Sequence, residues 1–409
     1  MKAKTKANTR SRKQIPFDDL YPFFQPIIGA DQRAIAGYEI LGRRKTRDTL
    51  SSLGPYFNDP NIAVPEKIRV DSIIRKKALQ TITQQKMKEN CLYFFNINPL
   101  LFTEEFDEEF YLSLLNSERK GINYSQIVIE ITEDSFAENE RRIKKQLNKY
   151  RELGCKIAID DVGKGFSNLE RIASINPNIL KIDLLLVQRS TNSSSYRNVL
   201  HALSVLSQKL GASLLFEGIE TLENVKNAWK NGAQYYQGYF FAKPQPSLVP
   251  DISNSKTLNA QLEFMIQKEV ERLNQHFSFE EHFNALLSDN ISSVNFDDYD
   301  KSIQKITRFL PENCYRVYLC DRLGYQKSAN HIKNQTKDWA IENEYLNKNW
   351  SWRPYFLQNI VSMSMNQKGY LSDSYCDLET NKLTQTFSYP IEQNLYLFID
   401  IKNTHGIKS

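Results

Sequence analysis

Acidic and amide side chains follow most of the short apolar runs between Tyr21 and Phe241. Carboxylate and amide oxygens are the ligands that hard divalent cations such as Mg²⁺ and Mn²⁺ prefer in proteins. If these side chains lie together, their charges repel one another unless cations neutralise them. The sequence therefore predicts one or two divalent cations, with candidate ligands Glu39, Asn96, Glu130, Asp160 and Asp161. Other polar residues in the same kind of position are Lys181, Asp183, Glu217, Glu220 and Gln237.

The adjacent pair Asp160 and Asp161 is the most specific part of this pattern. It follows the apolar run Cys155–Ile159 and precedes Gly163 and Gly165. Two neighbouring carboxylates before a glycine-containing loop suit a pair of metal ions. A single acid after a strand is more often a helix cap or a solvated loop residue. Because acidic or amide side chains follow several successive apolar runs, that explanation does not suit the whole set.

The apolar runs alternate with amphipathic stretches. The runs are Ala34–Leu41, Cys91–Ile97, Gln126–Ile131, Cys155–Ile159, Ile179–Ile182, Ser213–Phe216 and Tyr235–Phe241, and helices are predicted at Val70–Gln84, Asn139–Leu153 and Ser195–Lys209. Apolar strands separated by helices predict an α/β fold with a parallel sheet. The number of repeats favours a (β/α)8 TIM-type barrel over an open sheet, and in such a barrel the C-terminal strand ends share one rim. We expect the polar residues to meet at that rim.

The patterning changes after this region. Three prolines at positions 244, 246 and 250 end it, and apolar residues then recur at helical spacing from Leu258 to Phe277. This spacing predicts a long helix with one apolar stripe, which is either a connector or a dimer seam. From about Phe296 to Ile401 the pattern predicts antiparallel strands of an α+β sensor-type domain. The predicted segments are a disordered tail (1–15), the barrel (16–247), the connector helix (248–292) and the sensor domain (293–409).

Composition argues against several classes of protein. The net charge is +5, and much of the basic excess lies in the first thirteen residues, which we interpret as a solvated tail rather than a contact for RNA or anionic lipid. No apolar run could span a bilayer and no signal peptide is evident, so a soluble cytoplasmic protein is expected. The five cysteines and five histidines lack disulfide or metal-ligand spacing. No helix-turn-helix pattern or basic face indicates nucleic-acid binding.

Six motifs, in order along the predicted barrel, resemble those of EAL domains. They are Glu39–Arg43 for E-x-L-x-R, Glu130–Glu133 for E-x-T-E, Asp160–Phe166 for D-D-F-G-T-G-Y, Lys181–Asp183 for K-I-D, Glu217–Glu220 for E-G-V-E, and Gln237–Tyr239 with Lys243 and Pro244 for Q-G-Y…K-P. Each motif alone is weak, but the ordered set is specific. The sequence departs from the family pattern at Ile40, Gly42, Val162, Lys164 and Asn168.

The resemblance implies a barrel that hydrolyses cyclic-di-GMP to linear pGpG with two divalent cations, Mg²⁺ or Mn²⁺. It implies that Glu39, Asn96, Glu130 and Asp160 hold one cation and that Asp160 and Asp161 hold the second. The catalytic residues it implies are Glu39, Lys181 and Glu217, with Lys181 orienting or deprotonating the attacking water. The substrate-binding residues it implies are Gln25, Leu41, Arg43, Asp183, Gln237 and Pro244, and the loop anchors are Glu133 and Glu220. It also implies a homodimer.

The segment Trp350–Phe356 resembles the R-P-Y-F segment of PAS-like and Cache-like sensor domains. In such domains the segment lines a ligand pocket, so Arg353 and Tyr355 are candidates for binding a small ligand. Alternatively, the aromatic residues belong to the core, and Arg353 caps a helix or pairs with an acid.

Three functions remain open from the sequence. The complete ligand set favours an active phosphodiesterase. The altered loop with Val162 and Lys164 favours a receptor that binds cyclic-di-GMP without hydrolysing it and signals to a partner. A third possibility is a hydrolase for another phosphodiester.

Overall fold

The computed structural model describes residues 15–47, 49–85, 90–97, 107–118, 121–132, 140–164, 169–251, 255–334, 336–353, 355–377, 380–392 and 394–402. The chain forms two compact units that divide between Met265 and Ile266. Within the described ranges, no helix has both the length and the apolar character needed to cross a membrane.

The first unit is built on a closed barrel. Its strands are β1 (Leu20–Gly29), β2 (Ile35–Thr46), β3 (Thr49–Ser52), β4 (Leu92–Asn96), β5 (Ile127–Thr132), β6 (Lys156–Val162), β7 (Ile179–Ile182), β8 (Ser213–Phe216) and β9 (Tyr235–Gln237). Neighbours run in the order β1, β9, β8, β7, β6, β5, β4, β2, and pairing of β1 with β2 closes the ring. Strand β3 extends β2 as a hairpin outside the ring. The predicted TIM-type barrel is confirmed.

The first strand departs from the predicted all-parallel pattern. Strand β1 runs antiparallel to both of its neighbours, β2 and β9, and joins β2 through a hairpin rather than a helix. Its sequence contains Pro22 and Pro26, which lack the N–H donor that a strand normally uses and so obscure the strand pattern. The last predicted run is also shorter than expected, because β9 ends at Gln237.

Helices cover the outside of the barrel. They are α1 (Gly54–Asn58), α2 (Val64–Gln84), α3 (Asp107–Glu118), α4 (Glu140–Leu153), α5 (Leu169–Ile175), α6 (Leu184–Asn192), α7 (Ser194–Leu210) and α8 (Leu222–Lys230). Helix α2 begins earlier than predicted because Pro65 lies in its first turn, where a missing N–H costs little. The apolar faces of the helices and the outer faces of the strands form one large buried cluster. Each fully buried aliphatic or aromatic side chain there contributes roughly 1.5–3 kcal/mol.

The helix predicted after the barrel is observed as α9 (Ser255–Ile291). Leu258, Leu262 and Met265 belong to the barrel's apolar cluster, whereas Phe283 and Leu287 belong to the core of the second unit. Between them, Ile266, Val270, Leu273 and Phe277 are exposed by 38–57%. The predicted stripe therefore has a buried beginning and an exposed middle.

The second unit contains a mostly antiparallel sheet, as predicted. Its elements after α9 are α10 (Tyr299–Ile306), β10 (Cys314–Asp321), β11 (Asn330–Lys333), β12 (Trp339–Glu342), α11 (Phe356–Asn366), β13 (Tyr370–Leu371), β14 (Tyr375–Cys376), β15 (Leu383–Glu392) and β16 (Leu395–Lys402). The sheet order is β12, β11, β10, β16, β15, β13, and β14 pairs with β15. One apolar cluster includes the end of α9 with α10, and a second includes α11.

Candidate functional site

Strand periodicity places the predicted site residues in one polar layer inside the barrel. Seven apolar side chains fill the barrel's interior: Ile27, Leu92, Phe94, Val128, Ala158, Ile179 and Leu215. Alternate residues of a strand face the same side, so the residue two positions nearer the rim also faces inward. Those positions hold Gln25, Asn96, Glu130, Asp160, Lys181 and Glu217. Gln237, two positions after the partly buried Tyr235, and Glu39 from β2 complete the layer.

Lys181 lies at the centre of this layer. Its Nζ atom is 2.6 Å from Glu217 Oε1, 2.7 Å from Glu130 Oε1, 3.3 Å from Asp160 Oδ1 and 3.6 Å from Glu39 Oε1. The lysine side chain is 1% exposed. Burial alone would lower the pKa of Lys181, but the surrounding carboxylates raise it well above its usual value. The structure thus contains one buried ammonium among four carboxylates.

Two amide side chains fix the position of Glu39. Asn96 Nδ2 donates to Glu39 Oε1 at 2.9 Å, and Gln237 Nε2 donates to Glu39 Oε2 at 2.5 Å. The three residues come from three different strands, β2, β4 and β9. Glu39 is therefore held in a defined orientation toward Lys181.

The carboxylates of the layer carry more negative charge than the Lys181 ammonium neutralises. Burial raises the pKa of Glu130 well above its usual value, although the Lys181 ammonium opposes this effect. Burial, and then the charge of Asp160, raise the pKa of Glu217 in the same way. Glu130 Oε2 and Gln237 Oε1 are buried without a hydrogen-bond partner among the described residues. Excess carboxylates and buried oxygens without hydrogen-bond partners are the ligands that a hard divalent cation requires.

A bulge in β6 brings the neighbouring carboxylates Asp160 and Asp161 to the same rim. Successive residues of a regular strand point to opposite faces. Here the pairing of β6 with β7 shifts register between Ile159 and Val162, and Asp161 has a φ of +61°. Carboxylate oxygens of Asp160, Asp161 and Glu217 lie within 4.8 Å of one another, close enough to ligate one ion. A left-handed aspartate costs about 1–2 kcal/mol, and such strain is concentrated at functional sites.

Lys164, at a position where the sequence departs from the EAL pattern, contacts this carboxylate pair. Its Nζ atom is 3.0 Å from Asp161 Oδ2, and the lysine side chain is 54% exposed. The hydrogen bond to Asp161 raises the pKa of Lys164, which keeps its positive charge beside the rim. Like Glu39, Glu130 and Asp160, which lie beside Lys181, the predicted metal ligand Asp161 therefore has a cationic partner.

Two cavities adjoin the polar layer. A cavity of about 330 Å³ is lined by Gln25, Glu39, Leu41, Asp160, Glu217, Glu220 and Gln237, among others. A larger cavity of about 910 Å³ shares Leu41 and is also lined by Arg43 and Asn96. The Arg43 guanidinium donates to Gly42 O at 3.0 Å and lies 5.7 Å from the Phe23 ring centre. Four predicted substrate contacts, Gln25, Leu41, Arg43 and Gln237, thus lie beside open space.

Some predicted site residues have other surroundings. Asp183 is buried and caps helix α6, where its Oδ1 atom accepts from Leu185 N at 2.7 Å. Pro244 is half-buried in the segment after β9. Glu133 lies outside the described residues. Glu220 is exposed on the wall of the smaller cavity, so its predicted role as a loop anchor stays a prediction.

Sequence reasoning missed two charged residues on the wall of the larger cavity. Asp71 and Arg75 lie one turn apart on α2 and form an ion pair of 3.0 Å. They were concealed by the neighbouring apolar residues, such as Val70 and Ile74, which indicate only a core-facing helix. The signal in the sequence that could have identified them is an acid and an arginine four positions apart among the apolar residues of this helix.

In the second unit, the Arg353 guanidinium is surrounded by aromatic side chains. Its Nη1 atom lies 3.0 Å from Tyr355 Oη, 3.4 Å from Tyr375 Oη and 3.5 Å from Tyr318 Oη. Its carbon Cζ is 4.5 Å from the centre of the Trp350 ring. Among the described residues it has no carboxylate partner, so the alternative in which Arg353 pairs with an acid is not observed there.

Comparisons with known proteins agree with this architecture. The family model for the EAL domain matches residues 10–244, and the model for an EAL-domain associated signalling protein domain matches residues 249–406. The chain is 38% identical to the EAL-domain containing protein YkuI of Bacillus subtilis over 387 residues, which is 94% of each protein. It is 26% identical to PdeG of Escherichia coli, a probable cyclic di-GMP phosphodiesterase, over 57% of this chain and 46% of that protein.

A crystal structure of Bacillus subtilis YkuI in complex with substrate c-di-GMP and calcium has a TM-score of 0.88 to this chain at 37% identity. The match covers 95% of this chain and 97% of that one. The similarity therefore includes both units. From its sequence matches and its barrel, this chain belongs to the EAL-domain family.

Proposed function

We propose that the barrel hydrolyses cyclic-di-GMP to linear pGpG with two divalent cations, Mg²⁺ or Mn²⁺. The observation that carries the proposal is the polar layer, in which four carboxylates surround one buried ammonium beside two cavities. The complex of YkuI with c-di-GMP and calcium supports the choice of substrate and the need for a divalent cation.

The residues of the layer divide between metal binding and chemistry. Glu39, Asn96, Glu130 and Asp160 would hold one cation, and Asp160 with Asp161 the other. Divalent cations supply a Lewis acid for phosphate oxygens and lower the pKa of water. Among the described residues, Glu130 Oε2 and Gln237 Oε1 are buried oxygens without a hydrogen-bond partner. They would bind such a cation directly or accept a hydrogen bond from its water ligand.

The remaining residues bind and orient the reactants. Lys181 donates a hydrogen bond to the attacking water and is itself held by Glu217 and Asp160. Arg43 pairs with a phosphate oxygen, since a guanidinium offers two parallel donors. Water adds to phosphorus, the bond from phosphorus to the leaving ribose oxygen breaks, and that oxygen takes a proton. The product is a linear dinucleotide with one terminal phosphate.

The test is a turnover assay on the full chain with Mg²⁺ or Mn²⁺, with linear pGpG quantified by chromatography. We expect turnover by the natural sequence, and a loss of about 10³-fold or more in Glu39→Ala because an acid at the metal centre is removed. Binding of cyclic-di-GMP without turnover in either metal would favour the receptor function instead. The Lys164–Asp161 ion pair is the observation that supports this second candidate. Absence of binding at tens of micromolar would favour another phosphodiester.

We further propose that the C-terminal unit regulates the barrel by binding a small ligand. The half-buried Arg353, bordered by Trp350 and three tyrosine hydroxyls, supports a ligand with acceptor oxygens. Saturable binding of such a compound, lost in Arg353→Ala, is the expected result. An unchanged turnover rate in the presence of the bound compound would contradict regulation.

We also propose a homodimer. The exposed residues Ile266, Val270, Leu273 and Phe277 are spaced four, three and four positions apart, which is the spacing of a coiled-coil seam. The mass of the full chain in solution, measured by light scattering, should be that of two chains. A monomeric mass at micromolar concentration would refute the dimer.

A further inference from the structure

The two cavities beside the polar layer differ in charge. Four carboxylates and, among the described residues, no lysine or arginine line the smaller one: Glu39, Asp160, Glu217 and Glu220. Three cationic side chains and one acid line the larger one: Arg43, Lys67, Arg75 and Asp71. Asp71 pairs with Arg75 at 3.0 Å. No carboxylate of that wall compensates the other two cations, so the wall of the larger cavity is positive.

Lys67 is a cation at a position that helix stability does not favour. It lies in the first turn of α2, where the helix dipole is positive and acidic side chains are the stabilising ones. The neighbouring acid, Glu66, pairs with Arg69 at 2.7 Å. Lys67 itself is half-buried on the cavity wall and forms no ion pair with a carboxylate of the described residues. Its charge is therefore available to a ligand in the cavity.

Strand β2 carries positive charge outward from the polar layer. Alternate residues of a strand share a face, so Arg43 and Lys45 follow Glu39 on one side of β2. At a rise of about 3.3 Å per residue, Arg43 lies roughly 13 Å and Lys45 roughly 20 Å from Glu39 along the strand. Lys45 is exposed and forms no ion pair within the described part of the chain. Positive charge thus extends from the cavity wall to the surface.

An anionic ligand that approaches the barrel is affected differently by the two cavities. Both phosphodiester groups of a cyclic dinucleotide are negatively charged, so the carboxylates of the smaller cavity repel it until metal ions are bound. A cleft lined by positive charge attracts such a ligand and raises its association rate by about 10- to 10³-fold. We propose that Arg43, Lys45 and Lys67 form a cationic entrance through which the dinucleotide reaches the polar layer. This inference rests on the proposed function, because it takes cyclic-di-GMP as the ligand.

The experiment measures association kinetics rather than turnover. The full chain in Ca²⁺ is mixed in a stopped-flow instrument with cyclic-di-GMP that carries a fluorescent group on one ribose. The ionic strength is varied from about 0.01 to 1 M, which shortens the Debye length from about 30 Å to about 3 Å. We expect the association rate constant of the natural sequence to fall by on the order of tenfold or more across this range, because salt screens the attraction.

Variants of the two lysines separate charge from side-chain shape. Lys45→Glu combined with Lys67→Glu should associate about 10- to 100-fold more slowly at low ionic strength. The same pair of changes to Gln should give a smaller decrease, because it removes attraction without adding repulsion. Both double variants should approach the natural rate at about 1 M salt. Lys45→Glu alone, at an exposed position, should slow association by about three- to tenfold at low ionic strength, and it covers the case in which changes at position 67 prevent folding.

Lys230→Glu is the matched control. This exposed lysine lies in the last turn of α8, at the end of the barrel opposite to the rim, and the variant makes the same charge change as Lys45→Glu. We expect it to keep the natural association rate. Equal slowing by this control, a folded double variant with the natural rate at low salt, or a loss that persists unchanged at about 1 M salt would overturn the inference alone. A natural sequence that binds no cyclic-di-GMP at any ionic strength would also overturn the proposed function.

Discussion

Each unit contains a cluster of buried charge, and the two clusters differ in how fully their own side chains satisfy them. In the barrel, four carboxylates surround Lys181, and Glu130 Oε2 is left without a hydrogen-bond partner among the described residues. In the second unit, the Arg316 guanidinium lies 2.9 Å from Asp377 and 3.0 Å from Asp400. Threonine side chains complete this second cluster, with Thr380 on Asp377 and Thr386 on Asp400.

The pKa values follow this division at Asp377 but not at Asp400, where burial outweighs the charge of the Arg316 guanidinium and raises the pKa. Burial raises the pKa of Glu130 and Glu217 well above the usual range. At Asp377 burial acts in the same direction, but hydrogen bonds from Arg316 and Thr380 outweigh it and lower the pKa to about 2. A charge cluster that satisfies itself holds a fold together, whereas one with excess charge is prepared for an ion or a ligand.

The largest expected effect is on the unfolding free energy of the barrel without bound metal. Lys181→Met removes the only buried cation that the structure shows in the polar layer, so we expect a loss of about 3–5 kcal/mol of unfolding free energy. Millimolar Mn²⁺ should restore much of this stability, because it neutralises the same carboxylates. Chemical unfolding followed by far-UV circular dichroism, with and without Mn²⁺, measures both. Lys226→Met, at a partly exposed pair with Glu223, is the control. Equal losses with and without metal would contradict the comparison.

Arg316→Met is the corresponding change in the second unit. It leaves Asp377 and Asp400 buried without their cation, and the expected loss is again about 3–5 kcal/mol. Here Mn²⁺ should give no rescue. Three of the four tryptophans, Trp339, Trp350 and Trp352, belong to this unit, so tryptophan fluorescence in a Trp229→Phe background reports its unfolding. The exposed pair of Arg272 and Glu269 offers the control Arg272→Met. Rescue by metal would mean that the two clusters do not differ as described.

A smaller effect is expected in the pH dependence of the stability of the second unit. The pKa of Asp377 is lower in the folded chain than in the unfolded one, so its ionised form stabilises the second unit above about pH 4. That stability is lost as the pH falls through the folded pKa of about 2. We expect the unfolding midpoint of the second unit, followed by tryptophan fluorescence, to fall with acidification across this window. Asp377→Asn should be less stable at neutral pH and should show a flatter profile. A profile identical to that of the natural sequence would exclude Asp377 as the cause.

The smallest expected effect is at Lys164. Exposed ion pairs contribute at most about 1 kcal/mol, so Lys164→Thr should raise the affinity for Mn²⁺ by roughly two- to fivefold by freeing Asp161. Calorimetric titration of the full chain measures the change. Lys144→Thr, which removes a pair of 2.8 Å with Glu140 on α4, should have no effect. A lower affinity in Lys164→Thr would mean that the lysine supports the metal site rather than competing with it.

The sequence was sufficient to predict most members of the polar layer because strand periodicity is regular, whereas Gln25, on β1, was named only through the family resemblance. A polar residue two positions after an interior apolar residue must face the same side, as Glu130 does after Val128 and Lys181 after Ile179. The barrel followed from the alternation of such strands with helices. Strand β1 was hidden by its two prolines.

Features that depend on tertiary context were not predictable in the same way. The bulge that turns Asp161 toward Asp160 arises from the local register of β6 against β7, which no spacing encodes. The burial of Arg75 depends on its contact with the ring of Phe110, on another helix, and on its ion pair with Asp71. In the second unit, the partners of Arg316 come from residues 61 and 84 positions away.

The most direct test of the contrast between the two clusters is the stoichiometry of Mn²⁺ binding to the full chain. Calorimetry on the natural sequence and on Glu39→Ala, without nucleotide, separates the ions held by the polar layer from weak surface binding. We predict two saturable equivalents in the natural sequence and at most one, more weakly bound, in Glu39→Ala. Absence of saturable binding, or binding that Glu39→Ala leaves unchanged, would contradict the assignment of the polar layer as a metal centre.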